Sequence, residues 1–372
     1  MQRWYKLTKL AANNYLNVQA KGDAMKKLTI ALIISCSTLM QPVFSAQATQ
    51  RAISYLTSWG IPSLAEVEIA RSNVDTLILS FGQWDAQGNI QVSDGMTTPS
   101  FDSYWISSSY LTWTQFKFDN PNKKVMVAFG GQTYEGIWEK INTAASRELV
   151  ATGLVNLLNQ TFPVYKKNNG QYQKIGSVQL DGIDFDFEKA ARLTADENAN
   201  LLALAQLVRQ KLGSASSTKL LSLTTYHVGA DPVECADATV TQGCSYVETA
   251  RSSHHGEVLP ILSAGKNTFD FFNVMAYDAG QNFKYDVAMS NYAQAVADPS
   301  KVILGTTINS QWGPTGSFVE TQANNIARAK WQASNNYGGF FVWTLGSNNQ
   351  GMTFAAQVDY INAMITAAKG AN

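Results

Sequence analysis

Eight short apolar runs along residues 49–372 constrain the fold of this chain more than any other feature. The runs are residues 52–56, 76–81, 124–129, 182–187, 220–225, 271–275, 302–306 and 339–343. Nearly continuous apolar runs of this length are typical of strands that are covered on both faces, as in a parallel sheet. The pattern therefore predicts eight buried strands.

Helical patterns lie between several of these runs. Thr194 and Glu197 have the spacing of a capping box, so a helix is predicted to begin there and to end at Gly213. Other helices are predicted over residues 146–158, 321–334 and 354–368. This alternation predicts an α/β fold, a single-domain (β/α)8 TIM barrel. A doubly wound open sheet is the alternative, but its glycine-rich phosphate loop after an early strand is missing from the sequence.

Charge and composition exclude two classes of protein. The chain carries 28 basic and 28 acidic residues, whereas a nucleic-acid-binding protein needs a basic excess to displace counterions from phosphates. Apolar residues make up 45% and charged residues 15%, which excludes disorder for most of the chain. Aromatic residues reach 11%, which is compatible with a surface on which sugars stack, although core packing alone would explain much of it.

The N-terminal region has the pattern of an export signal. A basic start at Met25, an apolar run over residues 28–36 and a small-x-small site at residues 46–48 follow one another. We therefore expect residues 1–24 to be an upstream extension outside the fold, residues 25–48 to be a signal peptide and residues 49–372 to form the barrel. The true start would then be Met25 rather than Met1. The apolar run is too short to span a bilayer comfortably, so a secreted or periplasmic protein is expected.

Export places the two remaining cysteines where disulfides persist. Cys235 and Cys244 lie nine positions apart in a loop-like stretch, and an even number of cysteines in an exported protein favours pairing. We expect a disulfide, with two free thiols as the alternative. Neither cysteine has the sequence neighbours of a zinc site, and no metal or other cofactor is expected. His254 and His255 are predicted to lie on the surface.

Three acidic residues alternate along the fourth apolar run. Because side chains alternate with period two, Asp184, Asp186 and Glu188 would share the face of the strand that points into the barrel. Two carboxylates about 6 Å apart repel by roughly 3 kcal/mol at an effective dielectric of about 20. At least one of the three is therefore expected to keep a proton near neutral pH, shared over the set.

Glu188 is the predicted acid, because it lies at the carboxyl end of the strand, where active sites of such barrels are found. Cleavage of a glycosidic bond needs a carboxyl group that is kept protonated. A metal site and a structural acidic edge strand are the alternatives. The segment lacks the glycine and spacing of a calcium loop, and its other face is apolar, which disfavours both.

Residues 181–188, with the sequence DGIDFDFE, resemble the D-G-x-D-x-D-x-E signature of family 18 glycoside hydrolases, the chitinase family. Residues 128–131 (AFGG) are similar to the family's S-x-G-G motif, and residues 275–278 (MAYD) are similar to M-x-Y-D. Trp343 ends the eighth run, as the family's tryptophan does at the floor of the cleavage subsite. The resemblance covers essentially all of residues 49–372.

The resemblance implies a mechanism in which the substrate's own N-acetyl oxygen is the nucleophile. Glu188 would protonate the leaving oxygen and later activate water. Asp186 would hydrogen-bond the acetamido N–H, and Asp184 would modulate the charge on Asp186. Tyr277 would orient the acetamido carbonyl, with a structural phenol as the alternative. The residues expected to bind substrate are Trp343, Asp278, Tyr55, Gly130 and Gly131, and for Trp343 a core aromatic is the alternative.

One position departs from the family pattern. Ala128 stands where the family usually has a serine that hydrogen-bonds the inner acid, Asp184. Loss of that donor predicts a raised proton affinity of Asp184, with Tyr55 as its remaining partner. An altered pH profile is expected rather than loss of activity.

The resemblance thus predicts an exported, retaining glycoside hydrolase that cleaves β-1,4 bonds between N-acetylglucosamine units of chitin. The stretch from Asn309 to Gly338 has no room for the large α+β insertion between the seventh and eighth strands, so endo action is favoured. Expected partners are chitin or N-acetylglucosamine oligosaccharides, with no nucleic acid, no membrane after signal removal, and a monomeric state. The alternatives are an endo-β-N-acetylglucosaminidase acting on N-glycans and a non-catalytic glycan-binding protein on the same barrel.

Overall fold

The computed structural model describes residues 50–98, 104–248, 250–280, 282–308, 320–347 and 351–371. The expected upstream extension and signal peptide lie outside these ranges, as do all of residues 309–319, which include Trp312. None of the helices in these ranges combines the length and the apolar character that a bilayer crossing needs.

Eight parallel strands of the described residues close into a barrel, so the predicted TIM barrel is confirmed. Each of the eight apolar runs coincides with one barrel strand. The strands in chain order are β1 (Arg51–Thr57), β2 (Thr76–Trp84), β3 (Ile90–Val92), β4 (Lys124–Gly130), β5 (Phe162–Asn168), β6 (Gln171–Val178), β7 (Gly182–Asp186), β8 (Leu220–Tyr226), β9 (Phe271–Met275), β10 (Val302–Thr307) and β11 (Gly339–Leu345). The barrel order is β1-β11-β10-β9-β8-β7-β4-β2, and β2 closes the ring on β1.

The helices surround this barrel. In chain order they are α1 (Ala65–Ile69), α2 (Ser108–Asp119), α3 (Ala144–Asn159), α4 (Ala195–Leu212), α5 (Leu259–Gly265), α6 (Tyr285–Val296), α7 (Gln322–Ser334) and α8 (Phe354–Lys369). The four predicted helices are found as α3, α4, α7 and α8. Only residues 308–338 separate β10 from β11, and α7 is the one helix described there, so the large insertion is absent.

A hairpin between α3 and β7 escaped the sequence analysis. Strands β5 and β6 pair antiparallel and pack on α2, where Tyr110 donates a hydrogen bond to the Pro163 carbonyl at 2.6 Å. Their mostly exposed side chains give no apolar run. The turn did carry a signal, because Asn169 and Gly170 both have positive φ, and Asn-Gly is the preferred pair for a two-residue hairpin loop.

Apolar residues pack on both the outer and the inner side of the barrel strands. The outward faces of the strands pack on the helices in one large core, which includes Ile183, Phe185 and Phe187 of the acidic segment. A second cluster fills the inside of the barrel around the amino-terminal halves of the strands, with Ile53, Ile78, Met126, Phe271 and Phe341 as members. A ligand therefore reaches the interior only from the carboxyl ends of the strands.

The expected disulfide is present in the structure. Cys235 and Cys244 are joined, with their Cα atoms 5.6 Å apart, in the loop between β8 and α5. Asp231, fully buried at the base of this loop, accepts hydrogen bonds from the backbone N–H and the hydroxyl of Ser245 at 2.9 and 2.8 Å. The loop is thus fixed both by the covalent link and by a buried carboxylate.

Replacing Thr194 should destabilise the barrel through α4. Its hydroxyl accepts the Glu197 N–H at 3.1 Å, and the Glu197 carboxylate accepts the Thr194 N–H at 2.8 Å. We expect Thr194→Ala to lower the free energy of unfolding by about 1 kcal/mol, measured by urea denaturation. Thr152→Ala in α3 is the control, because this exposed hydroxyl only bonds back to the Glu148 carbonyl. An equal loss in both variants would contradict the role of the cap.

Candidate active site

The acidic face of β7 points into the barrel, as the alternation predicts. Asp184 and Asp186 are buried, and Glu188 follows the end of the strand and is partly exposed. The alternating apolar residues Ile183, Phe185 and Phe187 face the helices. Gly182 begins this face because a Cβ there would lie 2.3 Å from the Leu220 carbonyl oxygen of β8. Close approach of β8, rather than space for the acids, therefore explains this glycine.

Asp184 is held by hydroxyl groups from two other strands. Tyr55 of β1 donates to Oδ2 at 2.8 Å, while Ser222 and Thr224 of β8 donate to Oδ1 at 2.6 and 2.9 Å. The amide of Asn273 on β9 lies 3.5 Å from Oδ1. Burial raises the pKa of Asp184, and these donors oppose the rise by stabilising the carboxylate.

Ser222 supplies the donor that the chain lacks at position 128. Ala128 on β4 and Ser222 on β8 both pair in register with Asp184, one on each side of β7. Tyr55 is a partner of Asp184, as expected, but not its sole partner, because β8 provides two further hydroxyl groups. Local sequence pattern could not predict these contacts, since it does not reveal the register between β7 and β8.

Asp186 has an incompletely satisfied carboxyl group. Its Oδ1 is buried and has no hydrogen-bond partner among the described residues. Burial first, and then the nearby charges of Glu188 and Asp184, raise the pKa of Asp186 well above its usual range. A buried acceptor without a donor is costly, so a ligand N–H or O–H placed here would gain a hydrogen bond at a site already stripped of water.

Glu188 lies between donors from two elements. Its Oε1 accepts the backbone N–H of Gln132 at 2.9 Å, and Tyr226 lines the same cavity. Burial is the largest influence and raises the pKa of Glu188, whereas the neighbouring Tyr226 phenol and the Gln132 N–H lower it. The group can therefore hold a proton above its ordinary range while remaining open to the cavity.

The glycine pair after β4 aims the Gln132 amide. Gly130 and Gly131 have φ values of 106° and 66°, and the Gly131 N–H donates to the Asp186 carbonyl at 2.9 Å. A Cβ at Gly130 would lie 2.4 Å from that same carbonyl oxygen, so no other residue fits against β7 there. These glycines were expected to bind substrate. The structure gives them a backbone role, and direct contact with substrate remains a prediction.

A cavity of about 300 Å³ opens above these acids at the carboxyl end of the barrel. Five predicted site residues line it: Asp186, Glu188, Tyr277, Asp278 and Trp343. Tyr55 and Asp184 are fully buried beneath it and are not among the lining residues. The Tyr55 hydroxyl is engaged by Asp184 and Thr224, and the expected contact of Tyr55 with substrate remains a prediction.

Aromatic rings form one side of the cavity. Trp343 stacks on Phe81 with centroids 5.6 Å apart and an interplanar angle of 25°, and it meets Tyr55 edge-on at 5.7 Å. Tyr277 packs edge-on against Phe341 at 5.9 Å. Burial, and then the charges of Asp186 and Glu188, raise the pKa of Tyr277 well above its usual range, so its hydroxyl stays available as a donor.

Sequence reasoning missed several residues of the cavity wall. They are Phe81, Gln132, Thr133 and Tyr226, together with Trp59 and His227. Met275, which begins the MAYD motif, also lines the cavity, whereas Trp84, Trp113 and Trp138 are buried in the core. For Phe81 and Tyr226 the signal was their position at or just after the end of an apolar run.

His227 is part of the cavity wall, and His254 packs behind it against Tyr226. Desolvation lowers the pKa of His227 to about 4, so the ring is neutral. The prediction that His254 and His255 are exposed is wrong. His255 is fully buried, 3.1 Å from the Asp231 carboxylate, and the His254 side chain is 16% exposed.

Asp231, Cys235 and His255 bring possible metal ligands within 4.8 Å of one another, the one such group among the described residues. Cys235 is held in the disulfide, and the Asp231 carboxylate already accepts hydrogen bonds from Ser245 and Asn291. The donor set does not fit a metal ion in this oxidised state.

Comparison with known proteins places this geometry in a family. The family model described as "Glycosyl hydrolases family 18" matches residues 51–325. No curated protein sequence matches the chain. Among solved structures, a family 18 chitinase from Pseudoalteromonas aurantia gives a TM-score of 0.58 at 17% identity, covering 86% of this chain and 100% of the other.

Two further solved structures are similar to this chain. A chitinase from Cycas revoluta, solved with allosamidin, gives a TM-score of 0.57 at 14% identity and covers 86% and 98% of the two chains. A chitinase-like agglutinin from Robinia pseudoacacia gives 0.56 at 14%, covering 84% and 99%. At these identities the neighbours establish the shared barrel fold. The family model covers well over half of the sequence, and the chain therefore belongs to glycosyl hydrolase family 18.

Proposed function

We propose that this protein is an exported chitinase that cleaves internal β-1,4 bonds between N-acetylglucosamine units and retains the anomeric configuration. One observation carries the proposal. Asp186, which has a buried oxygen without a hydrogen-bond partner among the described residues, lines the same cavity as Glu188, Tyr277 and Trp343. The chain thus pairs an acceptor for an acetamido N–H with a proton donor and a stacking ring.

Binding would begin on the aromatic side of the cavity. The Trp343 ring, backed by Phe81, offers a flat apolar face to the sugar. The acetamido group would then lie between Asp186, which accepts its N–H, and the Tyr277 hydroxyl, which donates to its carbonyl oxygen. Both protein groups are held in dry surroundings before substrate arrives, so little reorganisation is needed.

Bond cleavage would use the protonated form of Glu188. Its proton passes to the glycosidic oxygen while the acetamido oxygen attacks C1, so the leaving sugar departs as an alcohol and an oxazolinium ring forms. The charge of Asp186 stabilises the positive nitrogen of that ring. Glu188, now a carboxylate, then takes a proton from water as the water oxygen attacks C1. Two inversions at C1 leave the product with its original anomeric configuration.

The remaining expectations belong to the same proposal. Residues 25–48 would direct export, and residues 49–372 would form the catalytic unit, which acts as a monomer in a secreted or periplasmic compartment. One structural neighbour is named a chitinase-like agglutinin, so the fold alone does not establish catalysis and a catalytic test is needed.

Product analysis on N-acetylglucosamine oligomers tests the proposed function. We expect hexamer to be cut internally, with β-anomers released first, measured by NMR within the first minutes of reaction. A high-mannose glycoprotein offered in parallel should remain intact. Release of glycan from that protein instead would favour the endo-β-N-acetylglucosaminidase, and binding of chitin without soluble products would favour the non-catalytic alternative.

Replacing the proposed acid should nearly abolish hydrolysis. Glu188→Gln keeps the shape and the Gln132 contact but removes the transferable proton, so kcat should fall by a factor of about 10² to 10⁴. Initial rates on the hexamer measure this effect. Glu234→Gln, at an exposed loop position, is the matched control and should hydrolyse at the wild-type rate. Wild-type activity in Glu188→Gln would remove Glu188 from the mechanism.

The donors around Asp184 should set the acid limb of the pH–rate profile. Ser222→Ala removes a donor to the carboxylate, so the pKa of Asp184 rises further and the acid limb moves to higher pH. Ala128→Ser adds a hydroxyl at the register position on the opposite side and should move the limb to lower pH. The measurement is kcat/KM on a soluble oligomer against pH. An unmoved profile in both variants would break the link between these donors and Asp184.

A further inference from the structure

Tyr226, the last residue of β8, lies beside Glu188 in the wall of the cavity. Asp186 pairs with Thr224 in the parallel register of β7 and β8, so Glu188 and Tyr226, each two residues further along, are neighbours. The phenol lowers the pKa of Glu188, as does the Gln132 N–H, which donates to Oε1 at 2.9 Å. Tyr226 lies outside the family motifs.

The backbone and ring of Tyr226 are fixed from behind. The Tyr292 hydroxyl donates to the Tyr226 carbonyl at 2.5 Å, which holds the end of β8 against α6. The Tyr226 ring packs on the His254 ring, with centroids 4.6 Å apart. A phenol held on both sides in this way has few alternative rotamers, so its hydroxyl keeps one direction.

His254 is itself anchored by a buried acid. Its Nδ1 lies 2.8 Å from Oε2 of Glu257, whose side chain is fully buried. The same Oε2 accepts the Leu193 N–H at 2.9 Å, and the Glu257 carbonyl accepts the Asn198 amide at 3.0 Å. Glu257 therefore ties His254 to the start of α4, and the support behind Tyr226 is continuous with the core.

We propose that the Tyr226 hydroxyl hydrogen-bonds Glu188 and makes Tyr226 a positioning residue, which directs the Glu188 carboxyl group toward the scissile oxygen. His254 and Glu257 hold the phenol for this purpose. The inference deepens the proposed function and rests on it. A phenol suits both halves of the reaction, because it donates to the carboxylate and accepts from the carboxylic acid. The orientation of Glu188 can thus be kept while its proton leaves and returns.

Several titratable groups surround Glu188, so the effect of Tyr226 must be separated from theirs. They are Asp184 and Asp186 on β7, Tyr277 and Asp278 after β9, Glu135 in the segment after β4, and His254. None of these changes in a Tyr226→Phe variant, which retains the ring against His254 and loses only the hydroxyl. The variant therefore isolates the hydrogen bond.

The test combines carboxyl titration with kinetics in Tyr226→Phe. Loss of a donor to the carboxylate should raise the pKa of Glu188 by about one unit, followed by ¹³C NMR of glutamate-labelled protein with Glu188→Gln as the assignment standard. The alkaline limb of the kcat/KM profile should move to higher pH as well, because the protonated form of Glu188 persists to higher pH. We expect kcat to fall about tenfold with KM nearly unchanged. Tyr172→Phe on the hairpin is the control and should change neither quantity.

The outcomes separate this inference from the proposed function. An unchanged Glu188 titration, or an unchanged kcat with an unmoved alkaline limb, would overturn the role of Tyr226. A wild-type protein that cleaves no oligosaccharide would defeat the proposed function, whatever the titration shows. His254→Ala, in which the phenol keeps its hydroxyl but loses its support, should lower kcat by a smaller factor. Wild-type kinetics in that variant would remove His254 and Glu257 from the proposal.

Discussion

Desolvation of carboxyl groups inside a closed barrel governs the site of this protein. Alternation on β7 places Asp184 and Asp186 where water is excluded, and burial is the first cause of the raised pKa of each. An isolated buried carboxylate is costly, so such groups survive only with donors or with a shared proton. The structure uses both solutions, giving Asp184 its hydroxyl donors and leaving Asp186 with an oxygen that lacks one.

Asp184 and Asp186 differ in how their carboxyl groups are hydrogen-bonded. Asp184 has its donors within the protein, whereas one oxygen of Asp186 has no donor among the described residues. Glu188, which follows the end of the strand, combines partial exposure with the Gln132 donor. The three acids thus differ in burial and in hydrogen bonding, although they belong to one short segment of the chain.

Local sequence pattern predicted most of the fold and the acidic face of the site. Strands that are covered on both faces appear as apolar runs, and the alternation of side chains along a strand shows which residues share a face. The positions of Asp184, Asp186 and Glu188 relative to the cavity needed no other information. Ser222, Tyr226 and His254 could not be found in this way, since their contacts join residues that are far apart in sequence and depend on strand register and loop packing. The β5–β6 hairpin was missed for a different reason. Its exposed strands lack an apolar pattern, although the Asn169-Gly170 sequence is typical of a hairpin turn.

Pairing of the first strand with the last has a consequence for biosynthesis. β1 hydrogen-bonds both β2 and β11, and Tyr55, one of the donors to Asp184, comes from β1. During synthesis, the cylinder stays open and its acids stay hydrated until β11 has emerged and paired with β1. The nascent protein should therefore acquire its unusual electrostatics only when β11 is in place, in the same event that seals the ring.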